Sequence, residues 1–228
     1  MADSFVPTAR TRITREPHRA VYDRAAAYAI LDDGFVCHLG FAIDGQPFVI
    51  PTSYGRRGDD LYVHGSSASR MLRGLQAGLP ACVTVTLVDG LVLARSIFNQ
   101  SMNYRSVVVL GTAHALEDRA QKLAALEIVS EHILPGRWAD VRRPSDIELK
   151  ATTVMRLPIE EFSAKVRSGP PVDKEEDLGL DMWAGVVPLE MVASAPLPDE
   201  RTSRDTPAPT YVRPYIRSGW RRDGAGSD

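Results

Sequence analysis

Between Val49 and Met71 the chain reads VIPTSYGRRGDDLYVHGSSASRM, and its most chemically capable side chains cluster here: Thr52, Ser53, Tyr54, His64, Ser66, Ser69 and Arg70. Val49-Ile50 and Leu61-Tyr62-Val63 are β-prone, and the stretch from Gly55 to Asp60, rich in Gly, Arg and Asp, separates them as a hairpin connection does. After Val63, Gly65 admits close backbone approach, the serines supply hydroxyls and a helix N-cap, and Arg70 presents a fork of charged donors. Backbone N–H groups at a helix start, the positive end of its dipole and a guanidinium together favour a phosphate dianion. The same residues also fit an ordinary strand and Ser-capped amphipathic helix with a solvated Arg70, because a Ser-rich helix start is a weak pattern.

Two further segments carry polar reach. Arg95 to Ser106, RSIFNQSMNYRS, joins two apolar runs, and its Asn, Gln and Ser side chains can meet the edges of a heteroaromatic ring while Met102 and Tyr104 offer flat apolar contact. It fits a solvated loop as well. In Gly136 to Pro144, GRWADVRRP, Trp138 either covers a ring or packs on the fold. His64 alone among His18, His38, His64, His114 and His132 is flanked by candidate ligand groups, so it either bonds a cofactor ring or substrate oxygen or simply ends a strand. No G-x-S-x-G elbow and no metal-ligand spacing of histidines is present, so nucleophilic hydrolysis and zinc chemistry are not expected and no catalytic residue is singled out.

The elements that would hold these groups are legible in outline. Residues 1–18 form a polar, arginine-bearing arm, residues 19–193 a folded domain, and residues 194–228 a Pro- and Arg-rich tail with no periodicity, expected to be disordered. Helical spacing predicts helices over 19–33, 67–76 and 119–134, the last with Asp118 as N-cap and Pro135-Gly136 as its end. Strands are expected at 35–43, 46–54, 60–64, 81–88, 91–96, 104–116, 147–157, 162–166 and 183–189, with Asp44-Gly45 and Asp89-Gly90 as hairpin turns. Strands following strands argue for an antiparallel barrel with peripheral helices and against a doubly wound parallel sheet.

Composition narrows the partners. A 228-residue chain with 44% hydrophobic residues can build a core, and a net charge of −2 from 27 basic and 29 acidic side chains gives no electrostatic footprint for nucleic acid. No apolar run reaches the roughly 20 residues of a membrane helix, and the start, MADSFVPTARTR, lacks a secretory core, so no membrane partner and a cytoplasmic location are expected. Cys37 and Cys82 lie in apolar strand-like runs and read as buried, reduced thiols.

Taken together, PTSYG, LYVHGSSASRML, PACVTVTLVDGLVLARS, NYRSVVVLGTA and WAGVVPL resemble the pyridoxamine 5′-phosphate oxidase-like FMN-binding split-barrel superfamily, in its branch of flavin-nucleotide-binding and nitroimidazole-resistance reductases. The resemblance implies a mainly β fold, a six-stranded antiparallel Greek-key barrel with peripheral helices, forming a homodimer with FMN in clefts between subunits. By position it places Thr52, Ser53 and Tyr54 along the flavin ring and ribityl chain, His64, Gly65 and Ser66 at the ring edge, and Ser69 and Arg70 on the phosphate. Asn103, Tyr104, Arg105 and Ser106 would come from the partner subunit, with Trp138 bordering the ring and Arg105 near the ring edge that gains electron density on reduction. Met71 stands where the vitamin-forming oxidases complete a Ser-Arg-Lys run, which argues against pyridoxamine phosphate as substrate. The expected activity is an oxidoreductase that takes hydride from NAD(P)H and passes electrons to a small acceptor such as a nitroaromatic. The alternatives are a deazaflavin reductase using the N-terminal arginines, a haem-binding or haem-handling protein with His64 as iron ligand, and a flavin carrier or sensor.

Overall fold

The computed structural model describes residues 4–203 and 205–212. The N-terminal arm lies against its own chain: Phe5 packs on Phe162 with ring centroids 4.7 Å apart, Thr8 and Arg10 donate to Glu161, and Lys165 donates to the Arg15 carbonyl. Strand β1 (Ala20–Val21) pairs with Lys165 and Ala164, which is why helix α1 (Arg24–Asp33) begins at Arg24 rather than at Arg19. Asp23 caps α1 by accepting the Ala26 N–H at 2.8 Å. Next come the hairpin β2 (Val36–Ile43) and β3 (Gln46–Ser53), whose Asp44-Gly45 turn adopts the positive φ of 50° and 79° that a primed turn requires. They are followed by β4 (Gly55–Arg57), β5 (Asp60–Ser66), α2 (Arg70–Gln76), β6 (Pro80–Leu93), β7 (Ser101–Thr112) and β8 (His114–Ala115). Helices α3 (Arg119–Ile133), α4 (Arg137–Asp140) and α5 (Asp146–Ala151) precede β9 (Thr152–Pro158), β10 (Glu161–Arg167) and β11 (Gly185–Pro188).

All strand pairs are antiparallel, in two sheets. One holds seven strands in the order β1-β10-β7-β6-β2-β3, with β11 added along β6, and the other runs β4-β5-β9-β8. The fold is mainly β and antiparallel, the split-barrel architecture expected from the sequence, with its strands divided between two sheets. The chain crosses between them through α2 and at Tyr54, Ala113 and Ile159, these three residues at most 5% exposed. Buried apolar side chains at the crossings let the backbone turn while the core stays continuous through Leu31, Leu39, Val83, Val107, Met155 and Phe162. Helix α3 lies on the second sheet so closely that a Cβ at Gly55 would stand 2.8 Å from the Val129 Cα.

Three local expectations are corrected. Asp89-Gly90 is no hairpin turn: β6 runs through it, and the register slips between Val88 and Gly90, leaving Asp89 as the extra residue of a bulge. Residues 146–151 are helical, because Ser145 and Glu148 form a reciprocal capping box. Gly55 to Arg57 is a strand rather than part of a loop. Of the tail expected from residue 194, Tyr211 seats on Gly136, accepts from Arg137 and donates to Asp140 at 2.5 Å, while residues 213–228 lie outside the described residues. Among the described residues no helix is long and apolar enough to cross a membrane.

Candidate functional site

Strands β3 and β5 and the start of α2 adjoin, with α2 reaching β3 at Phe48. Strand β3 is a sheet edge, and its backbone groups face outward past Pro47 and Pro51, which lack the N–H that another strand would need. Thr52 and Ser53 are partly exposed there, and Arg70 ties α2 to the same strand by lying 5.1 Å from the Phe48 ring. Phe48 and Ser53 are about 16 Å apart along an extended strand at ~3.3 Å per residue, a span that suits an elongated ligand.

Each side chain has a distinct state. Arg70 is exposed and makes no ion pair among the described residues, and the same holds for Arg73 one turn further along α2. Ser69 is the N-cap, its hydroxyl accepting the Leu72 N–H at 3.5 Å, and Ser66 accepts the Ala68 N–H at 3.2 Å. His64 projects on the face opposite Val63, with a buried Nδ1 that has no hydrogen-bond partner, and burial pushes its pKa below the usual imidazole value. A Cβ at Gly65 would stand 3.2 Å from a Leu72 methyl, so the residue keeps α2 close to β5. Tyr54 departs from its expected place: it is fully buried, and its hydroxyl donates to the Leu31 carbonyl at 2.5 Å. Its ring therefore supports the corner from inside the core.

The segment after β6 is anchored elsewhere in the chain. Asp173 accepts both the Arg95 backbone N–H and its guanidinium at 2.8 Å, and Ile97 and Phe98 project beyond this clamp, 86% and 84% exposed. Asn103 is buried and holds Arg167 and the Gly169 carbonyl, while the Ser106 hydroxyl reaches the Lys165 carbonyl at 3.5 Å. Tyr104 is partly exposed beside them on β7. Arg105 is gripped by Asp89 at 2.9 Å and Asp33 at 2.5 Å, so its charge is met by two carboxylates, and these hydrogen bonds raise its pKa. Sequence reasoning missed both acids. A signal existed for Asp33, because a carboxylate in the last turn of α1 opposes the helix dipole and needs a tertiary partner. Trp138 is not at this corner's strands but on α4, where its backbone N–H donates to Glu131 and Arg143 covers its ring at 4.6 Å.

Comparison with known proteins agrees with this architecture. The chain is 42% identical to the flavocytochrome Anf3 from Azotobacter vinelandii, with a TM-score of 0.86 over 91% of this chain and 96% of that one. It is 37% identical to the FAD and haem binding protein from Mycobacterium smegmatis, with a TM-score of 0.82 over 85% of this chain and 95% of that one. A protein named for 5-nitroimidazole antibiotic resistance, from Bacteroides thetaiotaomicron, is 26% identical with a TM-score of 0.55 over 64% of this chain and 86% of that one. No curated protein matches the chain. The family model described as pyridoxamine 5′-phosphate oxidase matches residues 23–166, a span containing both sheets' central strands and the whole β3–β5–α2 corner, and the chain belongs to this flavin-binding split-barrel family.

Proposed function

We propose that this chain is a redox protein that binds a flavin nucleotide at the β3–β5–α2 corner and also carries haem. The observation that carries the reading is the likeness, over 85% or more of the chain, to a flavocytochrome and to a FAD and haem binding protein. The residues present fit a flavin. Arg70 offers an unpaired cation for a phosphate, Ser69 and Ser66 offer hydroxyls, and the outward backbone of β3 offers donors and acceptors to a ring and its polyol chain. One phosphate is common to FMN, the expected cofactor, and FAD; Arg73 beside Arg70 adds a second cation and favours the diphosphate of FAD. When bound, the flavin supplies hydride and single-electron chemistry. The chain's own part is to hold it and to set the local charge through Asp33, Asp89 and Arg105.

His64 fits a haem ligand. Its Nδ1 is buried and unpartnered, and burial keeps the ring neutral, the form that binds iron. A second copy of the chain is the proposed partner, because Val36, Val49, Val88, Leu91 and Met102 leave apolar surface exposed around β2, β3, β6 and β7. Reduced nicotinamide is the proposed electron donor. Reduction of a nitroaromatic acceptor is a second reading, favoured by the likeness to the nitroimidazole-resistance protein. A deazaflavin is a further reading: of the N-terminal arginines, Arg10 and Arg19 are engaged by Glu161 and Glu16, while Arg12 and Arg15 make no ion pair among the described residues.

The test is the absorption spectrum of the purified protein, with mass spectrometry of what acid releases. Paired flavin bands and a Soret band are expected, with FAD or FMN and haem in the extract. A protein that stays colourless after incubation with FMN, FAD and haemin contradicts the reading.

A further inference from the structure

Helix α3 does not close fully on the second sheet. Ala124 and Ala125, the first exposed and the second buried, line the gap that larger side chains would fill, and a crevice of about 490 Å³ remains. Its floor is one register row across three strands, since Arg156 of β9 is paired with Tyr62 of β5 on one side and His114 of β8 on the other. Gln121 of α3 overhangs this row, and Leu116 and Ile128 complete an apolar wall. None of these residues belongs to the flavin corner.

The donors are available. Among the described residues the Arg156 side chain has one hydrogen-bond partner, Asp60, reached by Nη1 at a long 3.4 Å, and it is 42% exposed, so Nε and Nη2 are left for another acceptor. That edge of a guanidinium is the one that grips a carboxylate through two parallel bonds. The His114 side chain makes no hydrogen bond among the described residues, and burial first, then the neighbouring Asp60, raises the Tyr62 pKa and keeps its hydroxyl protonated. Asp60 is the acidic group facing Arg156, and its weak hold leaves the crevice donor-rich at its floor and apolar along the helix. A polar grip at one end of a short apolar slot selects a small ligand with a single charged head.

We propose that the crevice beneath α3 is a binding site for a small apolar monocarboxylate, whose head is held by Arg156 and whose body lies against Ala124 and Ala125. The test is titration of the protein, cofactors in place, with phenylacetate and with its neutral analogue 2-phenylethanol, followed by calorimetry. Saturable binding of phenylacetate, roughly tenfold or more tighter than 2-phenylethanol, is expected from the charge-assisted pair. Arg156→Gln should weaken it by about the same factor, and Ala124→Leu, which fills the slot at an exposed helix position, should abolish it without lowering the melting temperature. No saturation, equal affinity for the neutral analogue, or indifference to both variants overturns the proposal. Displacement of phenylacetate by haemin would assign the crevice to the propionates of haem and overturn it as well.

Discussion

The hydroxyl of Tyr54 donates to the carbonyl of Leu31 at 2.5 Å, fastening the crossing between the two sheets to the last turn of α1. The contact is wholly buried, so its loss leaves a carbonyl without its partner in the core. Tyr54→Phe should lower unfolding stability by about 1–3 kcal/mol while flavin affinity stays close to that of the parent. Urea denaturation and a flavin titration on the same variant check this, and a large loss of flavin affinity at unchanged stability would move Tyr54 from the core into the site.

Gly55 is where α3 presses on β4, and the atoms a Cβ would meet are backbone: the Val129 Cα at 2.8 Å and the Ile128 carbonyl at 2.9 Å. Backbone of a helix cannot yield as a side-chain tip can. Gly55→Ala should destabilise the protein by about 1–3 kcal/mol or more, read as a drop in melting temperature, whereas Gly58→Ala serves as a control that meets no atom within 4 Å but carries the strain of a φ of 57°. Equal stability of Gly55→Ala and the parent would contradict the packing described.

Arg70 and Arg73 are exposed and touch no carboxylate among the described residues, so their removal should leave the fold intact. Arg70→Ala should weaken flavin binding about 10- to 100-fold, the scale of a lost charge-assisted bond. Arg73→Ala should weaken FAD more than FMN. Fluorescence titration with both flavins distinguishes the two variants, and identical behaviour of FAD and FMN toward Arg73→Ala would remove the diphosphate argument.

His64 supplies a pH dependence with a defined sign. Its folded pKa lies below the unfolded value because burial disfavours the charged ring. Stability is therefore fully present above the unfolded pKa of about 6.5 and is lost as pH falls through the folded value, where the buried ring must take up a proton. Cofactor-free protein should show a falling denaturation midpoint below about pH 6.5, and His64→Gln should flatten that fall. A profile identical in both proteins would show that His64 is not the titrating group.

The trio of Asp33, Asp89 and Arg105 carries two negative charges against one positive. If it faces the bound flavin, Asp89→Asn should make the flavin easier to reduce, because one fewer carboxylate opposes the electron density gained on reduction. Dye-equilibrated redox titration reads the shift, expected toward more positive potential; an unchanged or more negative potential would place the trio away from the ring.

The β2–β3 hairpin and α3 were legible because their signals are local: Asp44-Gly45 accepts positive φ, and Asp118 caps α3 by accepting the Gln121 N–H. Asp89-Gly90 misled for the same reason, since a local turn signal says nothing of the pairing with β7 that carries β6 straight through. The Ser145–Glu148 capping box is a local helix signal that competes with the β-prone residues after it, and in the fold it wins over residues 146–151. Within the candidate site, Ser69 and Arg70 stand at the N-cap and first position of α2, as their order along the chain implies. The inward turn of Tyr54 and the two acids on Arg105 arise from tertiary packing between residues 16 to 72 positions apart, which no local pattern encodes.

The most direct measurement is a structure determined with FAD or FMN bound. The flavin phosphate is expected within hydrogen-bond distance of the Arg70 guanidinium and the Ser69 hydroxyl, with the ring beside Thr52 and Ser53. A flavin seated elsewhere, with Arg70 still resting on Phe48 and touching no phosphate, would contradict the account.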